Sequence, residues 1–110
     1  MELQQVNELL LRDVESIRSI LKSLKDLAKD YALAEKDYQI AKSRAVLELK
    51  AAGQAATLIP DIVRGKDNVA DLRFARDVAK EVYHVNKIAL HALQTNLTVY
   101  QSILRHSDEV

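Results

Sequence analysis

The stretch "GQAATLIPDIVRGKDNVADLRFARDVAKEVYHV", Gly53–Val85, decides the fold, because both glycines and the only proline of the chain fall inside it. Upstream, residues 2–52 hold neither Gly nor Pro. Gly53 is placed to end a long helix, since glycine alone takes the left-handed cap conformation without a steric cost. Pro60 then opens a short helical turn, about residues 60–64, that Gly65 closes. Asp67 or Asn68 serves as N-cap for a second long helix, and Asp71 complements its dipole early on. The stretch therefore reads as a connector, about residues 53–67, between helices of about 2–52 and 68–105, with "HSDEV" frayed at the end.

Periodicity supports both long helices. Steps of seven from Leu3 meet Leu10, Ile17, Leu24, Tyr31, Tyr38, Ala45 and Ala52, every one apolar or aromatic. Val6, Ile20, Leu27, Ala34 and Ala41 keep the companion spacing, interrupted by Asp13 and Glu48. A seven-residue repeat sustained this long marks a helix lying at a shallow angle against others. At 1.5 Å per residue, such a helix of about 50 residues extends for roughly 75 Å. The second helix carries a core stripe through Leu72, Ala75, Ala79, Val82, Asn86, Ala89, Leu93, Leu97, Tyr100 and Leu104. Beside it runs another, through Phe74, Val78, Val85, Ile88, Ala92 and Val99. Two apolar stripes exceed what one partner helix covers.

The expected fold is all-α: one domain, residues 1–110, built as a long antiparallel helical hairpin. The first helix is the longer, so its opening dozen residues should overhang the end of the second. That overhang bears Leu3, Val6, Leu10 and Leu11, followed by Ile17, an apolar row that is costly to leave in water. Two helices alone also bury too little surface for stability. The five residues are therefore expected oligomer contacts, with copies assembling into a four-helix bundle or coiled-coil-like oligomer, most simply a dimer.

Composition narrows the function classes. Sixteen basic residues balance sixteen acidic ones, so global charge favours neither nucleic acid nor a membrane surface. The absence of cysteine removes disulfides and thiolate metal sites and suits a reducing cytoplasm. The start, "MELQQVNELLLRDVES", mixes acids and amides into its apolar positions, unlike a signal peptide. No run approaches the roughly 20 apolar residues of a membrane span.

Catalytic motifs are missing: there is no GxSxG, P-loop, GxGxxG, HExxH or EF-hand loop. The sequence reads as a non-enzyme with no cofactor. One metal-like spacing exists, "EVYH", with Glu81 and His84 at i, i+3 as in di-iron four-helix proteins. In a dimer two such pairs would need glutamates such as Glu48 or Glu35 from the first helix. The plainer alternative pairs Glu81 with a cation and leaves His84 on the outer face. His91 and His106 are read as surface or tail residues.

Charge is locally uneven. Residues 36–87 hold ten basic and seven acidic residues. Arg73, Arg76, Lys80, His84 and Lys87 follow helical spacing, and Arg64 and Lys66 extend the row at the connector. Arg64, Lys66, Arg73, Arg76, Lys80 and Lys87 are the candidate interaction surface, since arginine is favoured at recognition sites. Such a stripe also matches successive phosphates. Against nucleic acid stand Asp77 and Glu81, close enough to pair with it, and the lack of an accompanying aromatic to stack bases. Tyr31 and Tyr38 share the seam of the first helix, as packing residues do. Asn86, in an otherwise apolar row, would specify register.

The segment from Tyr38 to Leu93 also resembles small helical proteins of temperate phages and prophages of Gram-positive bacteria. The residues that match are Tyr38, Ala41, Lys42, Leu49, Gly53, Leu58, Arg64, Gly65, Val69, Ala70, Leu72, Arg73, Ala79 and Tyr83. The resemblance implies an accessory role in phage DNA metabolism, or interference with a host system, in the cytoplasm of a bacterial host. It identifies no catalytic residue. Three readings follow: an oligomeric interaction protein that binds a host or phage protein through the connector and basic helix face; a DNA- or RNA-binding accessory factor using the same stripe; and, distantly, a dimeric di-iron carboxylate protein.

Overall fold

A computed structural model describes residues 2–108, and among them every regular element is helical. The elements are α1 (Leu3–Ala51), α2 (Ile59–Gly65) and α3 (Asp67–Asp108). None of these helices is long and apolar enough to cross a membrane.

The end of α1 shows why Gly53 stands where it does. Its φ of +79° lies in the left-handed region. The Gly53 N–H donates to the Lys50 carbonyl at 3.1 Å, and the Gln54 N–H to the Leu49 carbonyl at 3.0 Å. This pair of bonds is the Schellman motif, which satisfies carbonyls that a helix end would otherwise leave open. Gly65 needs no such left-handed conformation. Its φ is not positive, and a Cβ built there would meet nothing within 4 Å. It is simply the last residue of α2, and the reversal follows at Lys66, whose backbone is extended (φ −68°, ψ 133°).

Lys66 also starts α3. Its carbonyl accepts the Ala70 N–H at 2.8 Å, so Asp67 stands in the first turn rather than at the N-cap. A carboxylate there still complements the helix dipole. Pro60 lies within the first two positions of α2, where its missing N–H removes no helical bond.

The chain divides into two compact units. Leu27–Tyr83 holds the end of α1, all of α2 and the start of α3. Three cross-helix contacts fix its topology: Tyr31 meets Tyr83, Glu35 meets Arg76 and Glu48 meets Lys66. Numbers fall from Tyr83 through Arg76 to Lys66, just before α3, as they rise from Tyr31 to Glu48, so α1 and α3 run antiparallel in this unit. The core of this unit is Tyr38, Ala45, Ile59, Val63 and Val69, with Ala41, Val46, Leu49 and Leu72 packed around it. Ile59 and Val63 are four apart, one face of a single helical turn. The short helix is thus part of the core, whereas the sequence had offered it only as a joint.

The second unit pairs the beginning of α1, up to Asp26, with α3 from His84 onward. Here the expected overhang is corrected. Val6 has 0% of its surface exposed within the single chain. The physical reason is twofold: Glu48, not the end of α1 at Ala51, stands beside the start of α3 at Lys66, and α3 continues through His106 and Ser107 instead of fraying, so its last turns join the unit that contains the first turns of α1. Glu109 and Val110, also expected to fray, lie outside the described residues. Val6 is therefore not available as an oligomer contact in this arrangement. Leu3 and Leu11 are exposed, while Leu10 and Ile17 are half-buried. Asp13, which interrupts the heptads, is buried, 3.9 Å from the Arg12 Nε.

Candidate functional site

The six residues of the expected basic surface do not act as one row. Arg76 is drawn into the helix interface. Its Nη1 donates to Glu35 Oε2 at 3.0 Å, its Nε donates to Asp77 Oδ1 at 2.9 Å, and its guanidinium carbon stands 4.6 Å from the Tyr38 ring centre. Glu35 holds the arrangement from the other side, accepting a bond from Gln39 Nε2 at 2.8 Å through its remaining oxygen. The bond from Gln39, then that from Arg76, holds the Glu35 carboxyl below its ordinary range. The Glu35 bond is also the main reason that the Arg76 guanidinium is raised above its own. A cation committed in this way is structural.

Lys66 turns to a different groove, of about 500 Å³, and its Nζ lies 3.7 Å from Glu48 Oε2. That groove also contains Asp37 and Arg44, so two acids face two bases and the charges offset each other. Lys80 and Lys87 are exposed on α3, with Lys87 belonging to the other unit.

Arg64 and Arg73 are the two that the fold brings together. Both line a cleft of about 290 Å³ formed where α1, α2 and α3 converge. The Arg73 Nη1 donates to the Arg64 backbone carbonyl at 3.4 Å, which holds the Arg73 side chain against the end of α2. A third cation enters from α1: Lys42, whose Nζ is 5.9 Å from the Tyr38 ring centre. Sequence reading missed Lys42 as a site residue, because nothing in its local spacing ties it to positions more than twenty residues away. Val46, Pro60, Val63 and Val69 supply apolar walls.

No acidic residue lines this cleft. Among the described residues, none of Lys42, Arg64 and Arg73 has a carboxylate within 4.0 Å. Arg76 and Lys66 each meet an acid, whereas Lys42, Arg64 and Arg73 line a cleft that has aliphatic walls and no acid of its own. Of the three, Lys42 still acts through space on Glu35 outside the cleft. Arginine presents five N–H donors in a planar fork suited to carboxylate or phosphoryl oxygens. Arg73 directs one of them at a carbonyl.

Glu81 and His84 are both exposed. The glutamates considered as their partners are engaged elsewhere, Glu35 with Arg76 and Gln39, and Glu48 with Lys66. Among the described residues of the single chain, no group of three or more His, Asp or Glu is gathered to hold a metal ion.

Large apolar side chains remain in water on α3. Within the Leu27–Tyr83 unit these include Phe74, 71% exposed, and Val78; within the other they are Val85, Ile88, Val99 and Ile103. Phe74, Val78, Val85, Ile88 and Val99 belong to the second stripe, and Ile103, four positions beyond Val99, continues its spacing. Along α1, Leu33, Ile40 and Leu47 are also exposed, at seven-residue intervals.

Comparison with protein-family models, with curated proteins and with solved structures finds no match.

Proposed function

We propose that the chain is a non-enzymatic, homo-oligomeric helical interaction protein that binds a protein partner through the connector cleft. The single observation that carries this reading is the convergence of Lys42, Arg64 and Arg73, without an acid, over Val46, Val63 and Val69. A cleft with charged rim and aliphatic walls suits a protein surface, where polar groups give orientation and buried apolar groups give affinity. Its resemblance over Tyr38–Leu93 to helical phage and prophage proteins supports an accessory role in a bacterial cytoplasm, with a host or phage protein as partner.

Self-association rests on the exposed face of α3. Apolar patches beyond a few hundred Å² are uncommon on monomers. A second copy is the natural occupant: an isologous contact places the same stripe on both sides, apolar against apolar. With a formal net charge of zero, copies carry no long-range repulsion.

The experiment is capture from bacterial cells with the tagged full chain, followed by chemical cross-linking. A specific partner should cross-link near Lys42 and Lys66 with the wild type and be lost in an Arg64→Gln/Arg73→Gln variant of unchanged helicity. Equal capture by that variant would contradict the proposed binding site.

A further inference from the structure

The connector cleft has a composition that defines its ligand more narrowly than "protein partner". We infer that it seats one compact anionic group, carboxylate or phosphoryl, carried by a peptide segment whose neighbouring side chain is aliphatic. This deepens the interaction reading above and rests on it for the partner being a protein.

Three observations lead there. First, the charge is one-sided: Lys42 from α1, Arg64 from α2 and Arg73 from α3 line one cleft, and no acid does. Like charges gathered at one place repel, and a fold gains nothing from them unless an anion joins them. The same unit shows the alternative, because Arg76 meets both Glu35 and Asp77. Second, the size is small. About 290 Å³ is at the lower limit of small-molecule pockets, roughly 300 Å³, and suits one or two side chains. Third, the walls are aliphatic, from Val46, Pro60, Val63 and Val69. An inorganic anion alone would leave those walls wet, whereas an aliphatic neighbour would cover them.

Nucleic acid fits less well. Base stacking needs an open aromatic face. The one ring in the cleft, Tyr38, is a buried core residue with the Arg76 guanidinium carbon 4.6 Å from its centre. Three cations converging on one cleft also match a single anion better than a run of phosphates. Arg73 is already oriented by its bond to the Arg64 carbonyl, so less side-chain freedom is lost on binding.

The test is an amide NMR titration of the full chain with four short peptides in one Gly–Ser frame. Their central pairs are Glu-Leu, phosphoserine-Leu, Gln-Leu and Glu-Ser. The Glu-Leu or phosphoserine-Leu peptide should move the amides of Val63, Arg64, Lys66 and Arg73, and the tighter of the two identifies the anion. The Gln-Leu peptide should not bind, and Glu-Ser should bind more weakly than Glu-Leu. In a Lys42→Gln/Arg64→Gln/Arg73→Gln variant that retains its helical circular dichroism, affinity should fall by about tenfold or more, as for lost close charge pairs. Equal binding of the Gln-Leu peptide, shifts confined to other residues, or tighter binding of a duplex oligonucleotide at the same amides would overturn the inference. Failure of the broader reading is distinguishable. Partner capture that depends on Arg64 and Arg73 without any peptide binding would sink only the ligand class. Peptide binding with unaltered capture would sustain the ligand class and sink the partner site.

Discussion

The Arg76 guanidinium carbon stands 4.6 Å from the centre of the Tyr38 ring while its Nη1 donates to Glu35 at 3.0 Å. One side chain of α3 thereby ties together two positions of α1 and covers a core aromatic. Replacing Arg76 with Ala removes the stacking and the ion pair to Glu35. The expected loss is about 1 kcal/mol, typical of a partly desolvated cation–π contact. Arg76→Lys should recover only part of it, since an ammonium neither stacks flat nor forks. Urea unfolding of the three proteins measures this, and equal midpoints would deny Arg76 a structural role.

Glu35 gives the acid limb of stability a defined sign. Its carboxyl is held below the ordinary value near 4.5 by Gln39 first and Arg76 second. A depressed folded value means that its stabilising contribution is complete above the ordinary value and is lost as pH falls through the depressed one. Thermal melts below about pH 4.5 should therefore show a decline that Glu35→Gln makes shallower. An acid limb of identical slope in the variant would contradict this.

The short helix α2 is expected to matter more than its length suggests. Ile59 is 5% exposed and belongs to the core, whereas neighbouring Leu58 is 51% exposed. Ile59→Ala should cost about 2–5 kcal/mol through lost burial and a residual cavity. Leu58→Ala should stay within about 0.5 kcal/mol of wild type. Chemical denaturation of both variants checks the contrast, which disappears if α2 is merely a tether.

The two glycines should respond oppositely to alanine. At Gly53 the helix end holds φ at +79°, a left-handed conformation in which a Cβ is strained, so Gly53→Ala costs about 1–2 kcal/mol. At Gly65 the space is open and φ is not positive. Gly65→Ala should stabilise by about 0.4–1 kcal/mol by restricting the unfolded chain. Paired melting curves decide it.

The parts of this fold that repeat were legible in the sequence, and the parts made by convergence were not. Heptad spacing from Leu3 to Ala52 and the stripe from Leu72 to Leu104 are long enough to declare α1 and α3. By contrast, α2 has seven residues, too few for a period to emerge, so the roles of Ile59 and Val63 in the core stayed hidden. The candidate site followed the same rule. Arg64 and Arg73 were found from their local surplus of charge. Arg76 was grouped with them because its partner Glu35 lies 41 positions away, beyond the reach of any i, i+4 accounting. Lys42 was overlooked for the complementary reason, since only the folded connector brings it to the cleft. The overhang does not form because α1 runs past the start of α3, with Glu48 beside Lys66, and because the last turn of α3, with Arg105 and His106 suited to its dipole, continues to Asp108.

The proposed self-association follows from the large apolar side chains, Phe74 and Val85 among them, that α3 leaves exposed in the single chain. Sedimentation equilibrium across the micromolar range tests it most directly. The wild type should sediment as a dimer or larger species, and Phe74→Glu/Val85→Glu should shift it to the 12.4 kDa single chain. A wild type that stays at that mass at every concentration, with Phe74 and Val85 still open to water, would contradict the account.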